Sequence, residues 1–353
     1  MIKMILLVVG IVLVLAIIAG GLYFWNLMNK PLYKIGSLRA GNYLRAPLAP
    51  PAQTETGDFW QVEPDIQLHH FATGDGRNVL VLHGGPGQPY VEPWPGLAAL
   101  TEDYRFHYYD QRGAGQSTRP IDTFDSRNFS ANASTLEETL GLSAQLADIE
   151  RIRQILGEEK LIIIGHSFGA FQAALYAAEF PENVEALVLV TPAPMLLMPM
   201  EGPDLFETVE KGLPTEMQED YQAWYKAYFD FGNIFTRSEE ELVELNESFA
   251  RYFVAATEGE EGDRAGNPRP GGWMVHAMYL SMGRKHDYRP AMEVIAAPVL
   301  VIHAADDFQS EEASRTYVEA IPHAQFTVID DAGHAVFYDQ PGKFGEILTE
   351  FLP

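Results

Sequence analysis

The sequence predicts an α/β fold: a mostly parallel sheet flanked by helices, with an inserted helical cap and an N-terminal transmembrane helix. Three observations carry this expectation. Short apolar runs alternate with helical stretches from about residue 66 onward. The alternation stops after about residue 192 and resumes near residue 291. Residues 4–29 contain no charged side chain. Alternating strands and helices argue for a sheet covered on both faces, and the interruption argues for an insertion.

The N-terminal segment comes first in the chain. As a helix, residues 4–29 would rise about 39 Å, enough to cross a hydrocarbon core of about 30 Å. Tyr23 and Trp25 stand near its far end, where amphipathic rings favour the headgroup level. A cleaved signal peptide would have a shorter apolar run and a small-x-small site. Residues 16–21 offer no convincing site of that kind. The expected partner is therefore a lipid bilayer, held through residues 4–29. Lys3 precedes the segment, whereas Lys30, Lys34 and Arg39 follow it, so charge leaves the side of the membrane open. Residues 30–65 are rich in Pro and Gly and read as a stalk.

Residues 66–192 and 291–353 read as the core. Strands are expected at Asn78–Leu82, Arg105–Tyr109, Leu161–Ile164, Ala186–Val190, Val299–Ile302 and Phe326–Ile329. Several are apolar at consecutive positions, as suits strands buried on both faces of a parallel sheet. Leu142, Leu146, Ile149, Ile152 and Ile155 fall at helical spacing, and Gly157 suits the end of that helix. A second helix is expected at Phe168–Phe180, ended by Pro181. Residues 193–290 read as the cap, with helical stretches at Gln218–Phe231 and Glu239–Phe253 and a polar Gly/Pro tract at Glu258–Gly272.

Composition narrows the chemistry. The 353 residues include no cysteine, which excludes a disulfide framework, a thiolate nucleophile and a cysteine-held metal. A net charge of −25 opposes nucleic acid as a partner. No H-E-x-x-H motif occurs, so a zinc peptidase is not expected. No metal or organic cofactor is expected either.

The chemistry concentrates in one motif. Gly165-His166-Ser167-Phe168-Gly169 follows an expected strand and opens an expected helix. A serine between glycines at such a turn sits on a strained elbow and points its hydroxyl outward. Open α/β sheets place ligands at that carboxyl edge. A serine hydroxyl needs a base. His334 follows the last strand in a Gly-containing loop and is the best placed of ten histidines. His323 lies at the opposite end of that strand, and His303 reads as structural. The acid should follow the penultimate strand, where Asp306 and Asp307 both stand. Asp307 has the usual offset, and Asp306 remains the alternative. His83-Gly84-Gly85-Pro86-Gly87 follows an earlier strand. Its glycines allow close backbone approach, so the N–H groups of Gly85 and Phe168 are the candidate oxyanion donors.

At these residues the sequence resembles the proline iminopeptidases (prolyl aminopeptidases) of the α/β-hydrolase superfamily. The matching pieces are His83–Gly87, Asp110-Gln-Arg-Gly-Ala-Gly-Gln-Ser117, the Ser167 elbow, Asp307 and His334. The resemblance implies an α/β-hydrolase fold, a Ser167–His334–Asp307 triad, an oxyanion hole at Gly85 and Phe168, and a structural role for the Asp110–Ser117 loop. It also implies cleavage of an N-terminal residue from a short peptide or small-molecule amide. Three features depart from the family, one of them the membrane anchor, which is atypical of its soluble members. The family's elbow usually reads G-G-S-W-G, and its usual amine-binding motif is not evident in the cap, although residues 193–290 carry 18 acidic and 9 basic side chains. A membrane-tethered carboxylesterase or lipase is the alternative within the same chemistry. Its acyl pocket would draw on aromatic and Met side chains of the cap, such as Phe206, Trp224, Tyr228 and Met274. A binding protein on a hydrolase fold is the alternative from another class.

Overall fold

The computed structural model describes residues 15, 18–21, 29–53, 57–200, 202–257 and 269–353. Nearly all of the expected membrane segment, residues 4–29, lies outside them, as do residues 258–268 of the polar cap tract. Among the described residues no helix is long and apolar enough to cross a membrane.

Eight strands form the main sheet: β1 (Phe59–Glu63), β2 (Ile66–Thr73), β3 (Arg77–Leu82), β4 (Tyr104–Tyr109), β5 (Leu161–His166), β6 (Val184–Val190), and, after the cap, β9 (Val299–Ala304) and β10 (Gln325–Ile329). Their spatial order is β1-β2-β4-β3-β5-β6-β9-β10. The β1/β2 and β2/β4 pairs are antiparallel, and every other pair is parallel. Burial on both faces explains the consecutive apolar residues of the inner strands. In β5, Leu161 and Ile163 enter one core cluster while Ile162 and Ile164 enter the other. Helices α1 (Phe129–Thr139), α2 (Leu142–Ile155) and α3 (Phe168–Glu179) cover the first face. A 3-10 helix at Pro95–Leu100, α9 (Val336–Asp339) and the C-terminal α10 (Pro341–Phe351) cover the second.

The cap lies between β6 and β9. Its base is a two-stranded ribbon, β7 (Leu197–Met198) against β8 (His286–Asp287). It carries α4 (Leu205–Gly212), α5 (Thr215–Tyr228), α6 (Glu239–Ala256) and α7 (Trp273–Met282). Strand β9 returns the chain to the core, and helix α8 (Glu311–Ala320) connects it to β10. A reciprocal cap between Ser238 and Glu241 opens α6 and satisfies its first N–H groups.

The segment expected to be a stalk packs onto the domain instead. The Tyr33 hydroxyl and the Gly36 and Arg39 amides all donate to the carboxylate of Glu179, at the end of α3. The Leu32 and Tyr33 amides donate to the Ser281 carbonyl of α7. Tyr33 and Leu38 are buried, and residues 59–63 form β1. The Pro and Gly residues punctuate turns on a packed surface, and the buried Tyr, Leu and Trp side chains between them supply the contact area.

Candidate active site

The elbow is built by strict backbone crowding. Ser167 joins β5 to α3 with φ 54° and ψ −118°, a conformation that side-chain-bearing residues rarely adopt. A Cβ on Gly165 would stand 2.5 Å from the Gly169 carbonyl oxygen. One on Gly169 would stand 2.5 Å from the carbonyl oxygens of both Leu82 and His83. These two glycines are therefore required for β5, the elbow and the loop after β3 to meet. That loop lies directly on the serine, since a Cβ on Gly84 would come within 2.9 Å of the Ser167 Cβ.

His334 stands in the loop after β10, and Asp307 stands just beyond β9. The imidazole Nδ1 is 3.0 and 3.1 Å from the two oxygens of Asp307. The carboxylate can only accept, so Nδ1 carries the proton and Nε2 is left with the lone pair. Asp307 is wholly buried at its side chain and also accepts the Gln309 amide at 3.0 Å. Asp306 is exposed, and its backbone N–H donates to the Ala332 carbonyl, so it braces the loop without reaching the ring. The structure thus brings Asp307 and His334 together at the carboxyl edge of the sheet, where Ser167 also lies. The Ser167 hydroxyl makes no hydrogen bond to His334 in this conformation; such bonds are often long in unliganded enzymes and tighten around substrate.

Sequence reasoning did not single out Gln309, His166, Tyr90 or Thr191, all of which touch this site. The Gln309 Nε2 is 3.3 and 3.4 Å from the two ring nitrogens of His334. Near-equal distances to both place the amide over the ring face, out of line with the Nε2 lone pair. Its Oε1 is buried without a partner. Phe308 packs on the same imidazole, with ring centroids 4.4 Å apart, and Phe253 of α6 packs on Phe308 at 5.3 Å. An apolar wall therefore runs from the cap to His334. The side chains of His166 and Thr191 meet the backbone of His334.

The Gly85 and Phe168 amides have no acceptor among the described residues. Gly85 has φ 113°, and Phe168 is the first residue of α3, whose N-terminal dipole favours negative charge. One donor thus comes from the elbow itself and the other from the loop that lies on the serine. The loop bearing Gly85 is held from below. His83 Nδ1 donates to the Gly84 carbonyl at 3.0 Å, and His83 Nε2 accepts the Gln111 amide at 3.1 Å. Both ring nitrogens are used by a neutral imidazole, and burial pushes its pKa down to about 4. Gln111 also donates to the His83 carbonyl. This explains why the His83–Gly87 and Asp110–Ser117 motifs occur together.

Arg112, in that second loop, is buried and forms a two-pronged bond to Asp148 of α2 with contacts of 2.6 and 2.5 Å. It also meets Glu63 of β1 at 2.8 Å. Arg151 joins the same two carboxylates. Among the described residues no group of side chains could hold a metal ion.

Several cap side chains that an acyl pocket would require are committed to packing. Phe206, Trp224, Tyr228, Trp273, Met274 and Met278 are buried. The Trp224 indole donates to the Leu245 carbonyl and the Trp273 indole to that of Asp122.

Comparison with known proteins agrees with this architecture. A family model described as the alpha/beta hydrolase fold matches residues 77–341, so the chain belongs to that family. It is a hydrolase, and within the family it is proline iminopeptidase-like. A proline iminopeptidase of Heyndrickxia coagulans is 26% identical over 290 residues, covering 79% of this chain and 91% of that one. A proline iminopeptidase of Clostridium botulinum is 25% identical over 296 residues, covering 79% and 91%. Among solved structures, an esterase from Exiguobacterium antarcticum superposes with TM-score 0.56 at 22% identity, covering 84% of this chain and 99% of that chain. At that identity the likeness concerns the fold.

Proposed function

We propose that the protein is a serine aminopeptidase of the proline iminopeptidase type, acting on short peptides or amino-acid amides and tethered to a membrane through residues 4–29. His334 Nε2 takes the proton of Ser167, whose Oγ attacks the scissile carbonyl. The Gly85 and Phe168 N–H groups hold the resulting oxyanion. The imidazolium gives its proton to the leaving amine as the C–N bond breaks, and an acyl-enzyme forms. Water, deprotonated by the same imidazole, then releases the acid and restores the serine. Asp307 fixes the ring and stabilises its charged form throughout.

One observation carries this reading: the Nδ1 of His334 sits 3.0–3.1 Å from both oxygens of a buried aspartate, on the sheet edge that bears the serine elbow. The names of the relatives support the peptidase assignment. The tether rests on the uncharged run of residues 4–29. Asn29 is already hydrogen-bonded to Lys285, so such a tether would lead straight into the domain.

The test compares a prolyl arylamide with a short-chain acyl ester, using the full chain and its Ser167→Ala variant. Arylamide cleavage abolished in the variant is expected. Ester turnover without arylamide cleavage would replace the peptidase reading with a carboxylesterase. The apolar wall of Phe308 and Phe253 beside His334 is the feature that favours that second reading. Failure of a fluorophosphonate to label folded protein would leave a binding protein.

A further inference from the structure

His166 precedes the nucleophile and replaces the glycine usual there in the resembled family. Its ring is hydrogen-bonded through both nitrogens. Nε2 is 3.0 Å from the carbonyl oxygen of His334, and Nδ1 is 2.6 Å from the hydroxyl of Tyr90. A carbonyl only accepts, so Nε2 carries the proton. The neutral ring then presents a lone pair at Nδ1, toward which the Tyr90 hydroxyl donates. The same His334 carbonyl accepts a second bond from the Thr191 hydroxyl at 3.0 Å, from the end of β6. The rings of His166 and His334 lie 4.7 Å apart, and His166 also stands edge-on to Phe337 at 5.0 Å.

Three loops must hold register for the proposed chemistry: the one bearing Gly85, the elbow, and the one bearing His334. Tyr90 belongs to the first, His166 to the second, and the accepting carbonyl to the third. We infer that His166 is a positioning residue that ties these loops together, through Tyr90 on one side and the His334 backbone on the other, and so sets the imidazole of His334 relative to Ser167. Its hydrogen bonds go to the Tyr90 hydroxyl and the His334 backbone, so it acts through the base and the loops. The inference rests on the triad proposed above and adds a residue that the family motif does not supply.

Two readouts test it: the rate of Ser167 labelling by a fluorophosphonate, which reads the alignment of nucleophile and base, and turnover of the prolyl arylamide or acyl ester, whichever the full chain cleaves. In the full chain, His166→Ala should slow labelling and kcat by about 10–10²-fold with KM little changed, since a misplacement near 1 Å costs about that much. His166→Gln can return an N–H to the Nε2 position and should recover most of the loss. Tyr90→Phe should lose less. Because Tyr90 acts through the His166 ring, the double variant should be no slower than His166→Ala alone. Labelling of His166→Ala at the wild-type rate, additive losses in the double variant, or no recovery in a folded His166→Gln would overturn the inference. Should His166→Ala not fold, Thr191→Val, which removes the other donor to the same carbonyl, carries the test: it must slow labelling without raising KM. An unlabelled wild type would instead sink the triad itself, so the two failures are distinguishable.

Discussion

The core and the cap hold their side chains by different means. Around Ser167 the loops are tied by directional hydrogen bonds: His83 to Gln111, His166 to His334, Asp307 to His334. The cap is tied by ring packing, in which Phe206, Trp224, Tyr221 and Tyr252 share one apolar cluster and mainly meet backbone carbonyls where they are polar. Directional bonds tolerate only small errors in angle and distance, whereas apolar burial is non-directional and tolerates sliding. The two regions still meet, since the Gly271 amide of the cap donates to the Gly87 carbonyl in the loop that bears Gly85. Each prediction below would break or sharpen that contrast.

The largest effect belongs to the acid. Asp307→Asn should lower kcat by about 10⁴-fold, because an amide no longer enforces the Nδ1–H tautomer or stabilises the imidazolium. Asp306→Asn should behave as wild type, since that side chain is exposed and meets no ring. Steady-state turnover of the paired variants checks this. Equal losses, or loss only in Asp306→Asn, would refute the assignment.

The ion pairs give the next contrast. Removing Asp148 leaves the buried Arg112 and Arg151 guanidinium groups to share the Glu63 carboxylate, beside the carbonyls of Thr139, Ala46 and Pro47. Asp148→Ala should cost about 3–5 kcal/mol in urea unfolding, the usual result when one partner of a buried pair is lost. A cost near zero would mean that Glu63 suffices to hold both.

How much of this was legible in the sequence follows from the same physics. The inner strands announced themselves because burial on both faces demands consecutive apolar residues. By contrast, β2 (Ile66–Thr73) has only Ile66 and Leu68 buried, and β1 mixes Phe59, Trp60 and Val62 with Gln61 and Glu63. Neither gave a run, and β1 was absorbed into an expected stalk. The elbow was legible because its glycines and serine fall within five consecutive residues and their crowding is local. His166, Tyr90, Thr191 and Gln309 were not, because their roles depend on where other loops arrive. His166 was in plain view within the motif, but nothing in the sequence indicates that the His334 carbonyl lies 3.0 Å from its ring.

Acidification probes the core and the cap together. Burial pushes His83, beneath the Gly85 loop, and His276, in α7, down to about 4. The folded value lies below the unfolded value of about 6.5, so the unfolded chain binds more protons between them. Stability from these groups is complete above about pH 6.5 and is lost as pH falls toward 4. Each should cost about 1 kcal/mol between pH 7 and 5.5. Melting temperature against pH should fall over that interval. His276→Gln should flatten part of the fall while leaving the Ser167 labelling rate unchanged at neutral pH. A variant that melts with an unaltered pH profile would contradict the burial argument.

The smallest effect is expected at the cap surface. Arg251 pairs with Asp220 at 2.7 Å between α6 and α5, yet both side chains are more than half exposed, at 56% and 59%. Water screens such a pair, and ordering two long side chains offsets the gain. Arg251→Ala should change unfolding free energy by about 0–1 kcal/mol, including any loss of the guanidinium packed 4.5 Å over the Tyr252 ring. It should also leave kcat unchanged, because among the described residues helix α6 reaches His334 through the rings of Phe253 and Phe308. A large drop in kcat would show that the cap is coupled to the base through Phe253 and Phe308 more stiffly than ring packing allows. The contrast between a core tied by directional bonds and a cap tied by ring packing would then fail where Phe253 meets Phe308 beside the imidazole.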